Sequence, residues 1–259
     1  MVRVTTTDRR AVLRAGAGIV ASGVLTTGCA TGGAADPPTA PSSRAPTRRT
    51  PAPAPAPLLR YPAQIRHGPR DRPQVALTFH GNGDPATAHT LLSAAEKHGS
   101  RITVLAVGTW LDAHPALARR ILDGGHELGN HTLRHLDINA MPQTDADAEI
   151  RGCAERLKAL TGSIGTWFRP SRASRASPLV ERLARRAGYP HVLSYDVDSL
   201  DFTSPGAPAV VRNVMADVRA GSIVSLHFGY ADTVAALPGL LHELDRRGLH
   251  AVTTTELLS

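Results

Sequence analysis

Cysteine and aromatic residues are scarce in this chain of 259 residues, and both shortages limit what it can be. Only Cys29 and Cys153 are present, so no disulfide framework holds the fold together. Phe, Trp and Tyr make up 4% of the residues, too few for the stacking platforms that bind single-stranded nucleic acid. Stability must therefore come from a hydrophobic core, and the hydrophobic content of 42% is large enough to form one.

Most of the chain also lacks an excess of positive charge. The formal net charge is +7, but residues 1–62 hold eight arginines against two aspartates, while the remainder holds 21 basic and 20 acidic side chains. A nucleic-acid-binding domain carries its positive charge on its folded surface. We therefore expect no nucleic-acid partner.

The first 29 residues predict a signal for twin-arginine (Tat) export. Arg9-Arg10 opens the pattern, and the apolar run from Ala15 to Leu25 is too short for a stable membrane anchor. The residues before Cys29 resemble a bacterial lipobox, so Cys29 is a candidate for lipidation, with simple secretion as the alternative. We expect a lipoprotein at the extracellular face of the membrane, or a secreted or wall-associated protein, with membrane contact only through Cys29.

Residues 30–62 are rich in Pro, Ala and Thr and predict a disordered stalk, because such a composition cannot bury a core. Residues 63–259 are expected to form one folded domain, and a monomer. If Cys29 is processed, Cys153 has no partner and is predicted to be a small buried residue on a helix.

Short apolar runs alternate with helical periodicity in residues 63–259. This alternation predicts an α/β fold with parallel strands, as an open sheet or a small, incomplete barrel of about seven strands. The functional groups of such barrels follow the C-terminal ends of the strands. The predicted strands are 75–79, 102–107, 126–128, 166–168, 191–195, 222–226 and 250–252, and the predicted helices are 85–98, 115–123, 145–160, 178–187, 207–220 and 233–247.

Polar side chains follow five of these strands, at what should be one mouth. The clearest pattern is His131 and His135, because imidazoles four residues apart on a helical turn can reach one metal ion. A divalent metal lowers the pKa of a bound water toward ~7 and supplies a hydrolytic nucleophile. The other candidates at this mouth are His80, Asp84, Arg169, Asp198, Asp201 and His227.

The ordered set resembles the polysaccharide deacetylases with a NodB-homology domain, the family-4 carbohydrate esterases, over residues 74–258. His131 and His135 match the paired metal ligands of the family's H-[ST]-x-x-H motif. Arg169 begins a match to its R-x-P-Y motif, the stretch 198–202 resembles its D-x-x-D-W motif, and His227 falls in its L-H motif.

The resemblance implies a distorted (β/α) barrel and a metal-dependent hydrolase that acts on carbon–nitrogen bonds other than peptide bonds. It would remove N- or O-linked acetyl groups from a cell-envelope or extracellular polysaccharide, such as peptidoglycan or a chitin-like polymer. Zn²⁺ is the expected metal, with Co²⁺, Ni²⁺ or Mn²⁺ as alternatives. His227, held by Asp201, would be the general acid, and Arg169 would orient a carboxylate.

The first motif departs from the family pattern T-F-D-D, in which one Asp is the base and the next is a metal ligand. His80 and Gly81 stand at those positions. We hypothesise that Asp84 replaces one carboxylate as a metal ligand, although Asp84-Pro85 is also a good helix start. His80 is then a ligand or a base. Ser171 and Arg172 also depart from the third motif.

Two other functions remain open at this point. The first is a catalytically impaired, glycan-binding wall protein of the same fold, which has lost the base and the third ligand. The second is a metallophosphoesterase, which needs more carboxylates than this mouth offers.

Overall fold

The computed structural model describes residues 60–259. The predicted export signal, Cys29 and nearly all of the predicted stalk lie outside these residues. No helix within 60–259 is both long and apolar enough to cross a membrane.

Short strands alternate with helices along the described chain. The strands are β1 (Gln64–Ile65), β2 (Gln74–Gly81), β3 (Thr103–Ala106), β4 (Glu127–Asn130), β5 (Val192–Leu193), β6 (Val197–Asp198), β7 (Ile223–His227) and β8 (His250–Val252). The helices are α1 (Pro85–Lys97), α2 (Gly108–Ala113), α3 (Ala116–Asp123), α4 (Gln143–Thr161), α5 (Pro178–Arg186), α6 (Ala207–Asp217), α7 (Ala231–Arg246) and α8 (Thr254–Leu258).

Strand β2 is the centre of the sheet and pairs in parallel with β3, β7 and β8. Beyond these, β4 pairs with β3 and β6 pairs with β7, also in parallel. Phe168 bridges β4 to β5, and β5 pairs in parallel with β1. The predicted α/β fold with parallel strands is confirmed, and its barrel is distorted because no ladder within 60–259 joins β1 to β6.

The alternation of side chains along β2 separates the core from the functional mouth. Val75, Leu77 and Phe79 pack into the main hydrophobic cluster, which includes buried residues of α1 and α7. Thr78 and His80 alternate with them and are buried as polar residues. Because successive side chains of a strand point to opposite faces, a strand buried under helices still directs His80 into the barrel.

Several elements differ from the sequence prediction. Helices α2 and α8 and strands β1 and β6 were not predicted, since each is too short to show a clear periodicity. The predicted strand at 166–168 is reduced to the bridges made by Phe168. Cys153 is buried in α4 as predicted, and burial raises the pKa of its thiol to about 12, so it is unreactive at neutral pH.

Candidate metal centre

Three strand ends bring histidines together at the mouth of the barrel. The register of β2 and β7 pairs His80 directly with His227, and their ring centroids lie 4.2 Å apart. His131 follows the last residue of β4, and its ring centroid lies 4.3 Å from that of His80. The strand ladders therefore fix three imidazoles in one place without help from long loops.

His135 reaches this group through a tight turn, and the predicted helical turn is wrong. Thr132 and His135 have positive φ angles of 68° and 57°, so the segment cannot be a right-handed helix. The side chain of Asn130 accepts a hydrogen bond from the Thr132 backbone at 2.8 Å, and Thr132 Oγ1 accepts one from the His135 backbone at 3.2 Å. The turn nevertheless brings the rings of His131 and His135 to 4.9 Å.

His80, His131 and His135 form a group that fits a metal ion, because one ring nitrogen from each lies within 4.8 Å of the other two. Nδ1 of His131 donates to the carbonyl oxygen of Arg169 at 3.0 Å, which leaves the lone pair of Nε2 free. This Nε2 is buried and has no hydrogen-bond partner in the described part of the chain. A backbone carbonyl that fixes the tautomer behind a ligating histidine is the usual arrangement at metal sites.

Burial also keeps these rings neutral. It lowers the pKa of His131 well below the usual value, and the charge of His135 adds to that effect. Burial also lowers the pKa of His80 well below the usual value, and the neighbouring His131 and His227 lower it further. The pKa of His135 is lowered by burial and by the nearby Arg172. Only neutral imidazole binds metal, so these shifts favour coordination at neutral pH.

Arg169 does not orient a carboxylate, which corrects the expected role. Its fully buried guanidinium donates to the carbonyl oxygens of Leu193 and Ser194, each at 3.1 Å, and to Nε2 of His80 at 3.2 Å. Burial lowers the pKa of Arg169 to about 10. It forms no ion pair with another described residue, and the side chain to which it donates a hydrogen bond at the mouth of the barrel is His80.

Asp84 lies at the start of α1 and does not join the histidines. Its side chain accepts a hydrogen bond from the Ala86 backbone at 2.8 Å, and Pro85 occupies the first helical turn. It is exposed and is not among the residues whose donor atoms converge within 4.8 Å. The expectation that Asp84 is the third ligand is therefore corrected, since helix capping holds it and His80 takes its place in the group.

Gly81 leaves no room for the side chain that the family motif has there. A Cβ atom at Gly81 would lie 2.8 Å from Cγ1 of Val104 and 3.1 Å from the Cα atom of Ala106. The strand directs this position into the packed layer between the sheet and the helices, away from His80.

His227 and Asp201 are paired as expected. Nδ1 of His227 lies 2.7 Å from Oδ1 of the fully buried Asp201. The other oxygen of Asp201 accepts hydrogen bonds from the His227 backbone at 2.8 Å and from Thr233 Oγ1 at 2.6 Å. These contacts fix the ring of His227 and leave its Nε2 available.

A cavity of about 400 Å³ opens onto the histidines. Phe202, 45% exposed, and Tyr230 each make an edge-to-face contact with the ring of His227.

Three residues of the site, Ser225, Tyr195 and Thr233, were not predicted from the sequence. Ser225 precedes His227 by two residues on β7, so strand alternation could have indicated it, whereas Thr233 gave no signal. The cavity is lined by His80, His135, Arg172, Ala173, Ser174, Tyr195, Asp198, Phe202, Ser225 and His227.

Comparison with known families gives one consistent result. A family model described as polysaccharide deacetylase matches residues 67–192. The chain is 31% identical over 194 residues to a peptidoglycan-N-acetylglucosamine deacetylase of Bacillus cereus, covering 73% of this chain and 90% of that protein. It is 30% identical over 198 residues to a chitooligosaccharide deacetylase of Sinorhizobium fredii, covering 68% and 87%.

Solved structures with the same fold include a carbohydrate esterase and a pseudoenzyme. A family-4 carbohydrate esterase of Streptomyces lividans, solved with acetate, has a TM-score of 0.64 and 25% identity, covering 69% of this chain and 91% of that one. A pseudoenzyme of the same family from Bacillus anthracis has a TM-score of 0.72 and 24% identity, covering 77% and 70%.

Proposed function

The chain belongs to the polysaccharide deacetylase family, and we propose that it is a hydrolase that removes acetyl groups from a polysaccharide outside the cell. The observation that carries this proposal is the buried, unpartnered Nε2 of His131 inside a group of three imidazoles. A buried polar atom without a partner costs about 1–3 kcal/mol, and a bound cation would remove that cost.

His80, His131 and His135 are the proposed ligands of one divalent cation. An all-imidazole set suits Zn²⁺, with Co²⁺, Ni²⁺ and Mn²⁺ as alternatives. When bound, the cation supplies Lewis-acid polarisation of the acetyl carbonyl and of water. Nη1 of Arg169 donates a hydrogen bond to the lone pair on Nε2 of His80. This hydrogen bond must break before that lone pair can bind a cation. We therefore expect His80 to contribute less to affinity than His131.

We assign His80 as a ligand and not as the general base. Burial and neighbouring positive groups hold its pKa well below the usual value, and an imidazole with such a pKa is a weak proton acceptor at neutral pH. Asp84 is not available as the base, because it is committed to the cap of α1.

His227 is the proposed general acid. Asp201 accepts from Nδ1 and so fixes the tautomer and the orientation of the ring, and the cavity adjoins the same ring. A proton on Nε2 can then pass to the leaving nitrogen or oxygen of the sugar.

The proposed substrate is an acetylated polysaccharide of the cell envelope, either peptidoglycan or a chitin-like polymer. The names of the Bacillus and Sinorhizobium relatives support these two classes. The predicted twin-arginine signal and stalk support a location outside the membrane, with or without a lipid on Cys29. The protein is proposed to act as a monomer.

A second candidate is a glycan-binding protein of the same fold without catalytic activity. The observation that favours it is the absence of a carboxylate from the histidine group described within residues 60–259. The same absence argues against a metallophosphoesterase, because that chemistry uses two metals and more carboxylates.

Acetate release from acetylated chitooligosaccharides and from peptidoglycan separates these candidates. We expect release by the zinc-loaded protein, loss on chelation, and at least a hundredfold lower rate for His131→Ala. His242→Ala, on the exposed side of α7, is the matched control and should retain full activity. Oligosaccharide binding without acetate release from any substrate would establish the non-catalytic candidate instead.

A further inference from the structure

A second cavity of about 370 Å³ adjoins the candidate active site. Ser174, Tyr195 and Asp198 line both cavities, so the two adjoin along these residues, and we call them together the groove. The histidines lie at one end only, since none of them lines the second cavity. A polymer whose acetyl group reaches the histidines can therefore place a neighbouring sugar in the second cavity.

Arginines without acidic partners surround this groove. Arg66 and Arg175 line the second cavity, and Arg172 lines the first. Within residues 60–259, the side chain of Arg66 donates only to the carbonyl oxygen of Tyr195, at 3.5 Å, and that of Arg172 only to the carbonyl oxygen of His135, at 3.1 Å. The guanidinium of Arg175 makes no hydrogen bond or ion pair to another residue of 60–259.

The acidic residues of the second cavity do not compensate these charges fully. Asp196 is already committed, because it pairs with Arg70 at 2.8 Å and accepts the backbone hydrogen bond of Ile223. Asp198 accepts from the backbone of Leu200 at 3.1 Å. Residues 63–259 as a whole are nearly neutral, yet three arginines, Arg66, Arg172 and Arg175, line the two cavities.

We infer that the second cavity binds a sugar that carries a carboxylate, so that the substrate is an acidic acetylated polysaccharide. This inference rests on the proposed deacetylase function. The planar guanidinium groups of Arg66 and Arg175 match the geometry of a carboxylate and can bind it with paired hydrogen bonds. Specificity arises because a carboxylate gains charge-assisted hydrogen bonds to these arginines that a neutral sugar does not make.

The test compares two oligosaccharides of equal length. One contains only N-acetylglucosamine, and the other carries a carboxylate on every second sugar; a third, in which that carboxylate is reduced to an alcohol, controls for shape. Calorimetry of the full zinc-loaded protein gives Kd, and acetate release gives kcat/KM. We expect the acidic oligosaccharide to bind at least about fivefold more tightly than the reduced one, and the difference to shrink as salt rises.

The double variant Arg66→Gln/Arg175→Gln should lose this preference, so that its Kd values for the acidic and the reduced oligosaccharides become equal. Arg212→Gln, which removes an exposed charge from α6, is the matched control and should keep the preference. Equal binding of the acidic and reduced oligosaccharides by the wild-type protein would overturn the inference and leave the deacetylase function intact. Preferential binding of the acidic oligosaccharide without acetate release would support the inference and contradict the deacetylase function.

Discussion

The chemistry of the site depends on a few side chains, and the neighbours of each side chain determine what it can do. Nε2 of His131 is available because a carbonyl oxygen occupies Nδ1, while the lone pair of His80 is shared with Arg169. Two histidines in the same group therefore differ in their readiness to bind a cation. Sequence alone could not reveal this difference, because it arises from the partner of each ring nitrogen.

His80→Asp should raise the rate of acetate release at least tenfold. The aspartate would face Arg169, a buried guanidinium that forms no ion pair with another described residue, and would supply a carboxylate that can act as a base. His80→Asn is the control, since asparagine has nearly the same shape as aspartate but carries no charge. A rate for His80→Asp no higher than that of His80→Asn would contradict the assignment of position 80 to the reacting centre.

Asp201→Asn should lower kcat by a factor of about 10²–10⁴. Asp201 accepts three hydrogen bonds, and an amide group would leave some donors unpaired and disturb the tautomer of His227. Thr233→Val removes a single one of these bonds and should cost much less. An unchanged kcat for Asp201→Asn would remove His227 from the role of general acid.

At the scale of elements, the ends of the strands position the site, and the strands that do so could be predicted from the sequence. The long buried strand β2, the segment before His131 and the strand before His227 were all predicted, because each carries a clear apolar run with polar residues after it. The turn of His131–His135 was not, because its left-handed residues depend on hydrogen bonds from Asn130 and Thr132. Periodicity contains no information on such a turn.

Asp84→Ala should destabilise the protein by about 1 kcal/mol without changing its affinity for zinc. The change removes the N-cap of α1, and capping is the only hydrogen bond that this side chain makes to another residue between 60 and 259. Ser177→Ala removes the corresponding cap of α5 and should cost a similar amount. Urea unfolding and zinc titration measure the two quantities; a tenfold weaker zinc affinity with unchanged stability would make Asp84 a ligand after all.

At the scale of the whole molecule, an open barrel gathers neutral imidazoles and arginines at one mouth. The sequence indicated the family and the barrel, and it located eight candidate residues after five strand ends. It could not locate the charge around the groove, because Arg66 and Arg175 are distant in sequence and meet only in the folded chain. The sequence also could not show that no carboxylate within residues 60–259 forms an ion pair with Arg169.

The stability of the metal-free protein should fall as the pH is lowered from 7 to 5. The pKa values of His80, His131 and His135 are lowered in the folded protein, so below pH 6.5 the unfolded chain takes up protons that the folded chain does not. Unfolding thus becomes more favourable by up to about 1.4 kcal/mol per pH unit for each ring.

Urea unfolding at pH 7.5, 6.5 and 5.5 with a chelator present measures this slope. His131→Asn should reduce the slope, because one buried imidazole is lost. A stability that is constant or higher at low pH would show that these rings are protonated in the folded state.

The most direct test of the central claim is calorimetric titration of zinc into metal-free protein. We expect the wild-type chain to bind one equivalent of zinc, His131→Ala to bind it at least a hundredfold more weakly, and His80→Ala to show a smaller loss of affinity. Failure of the wild-type protein to bind zinc, cobalt, nickel or manganese, or equal affinity in His131→Ala, would contradict the metal centre.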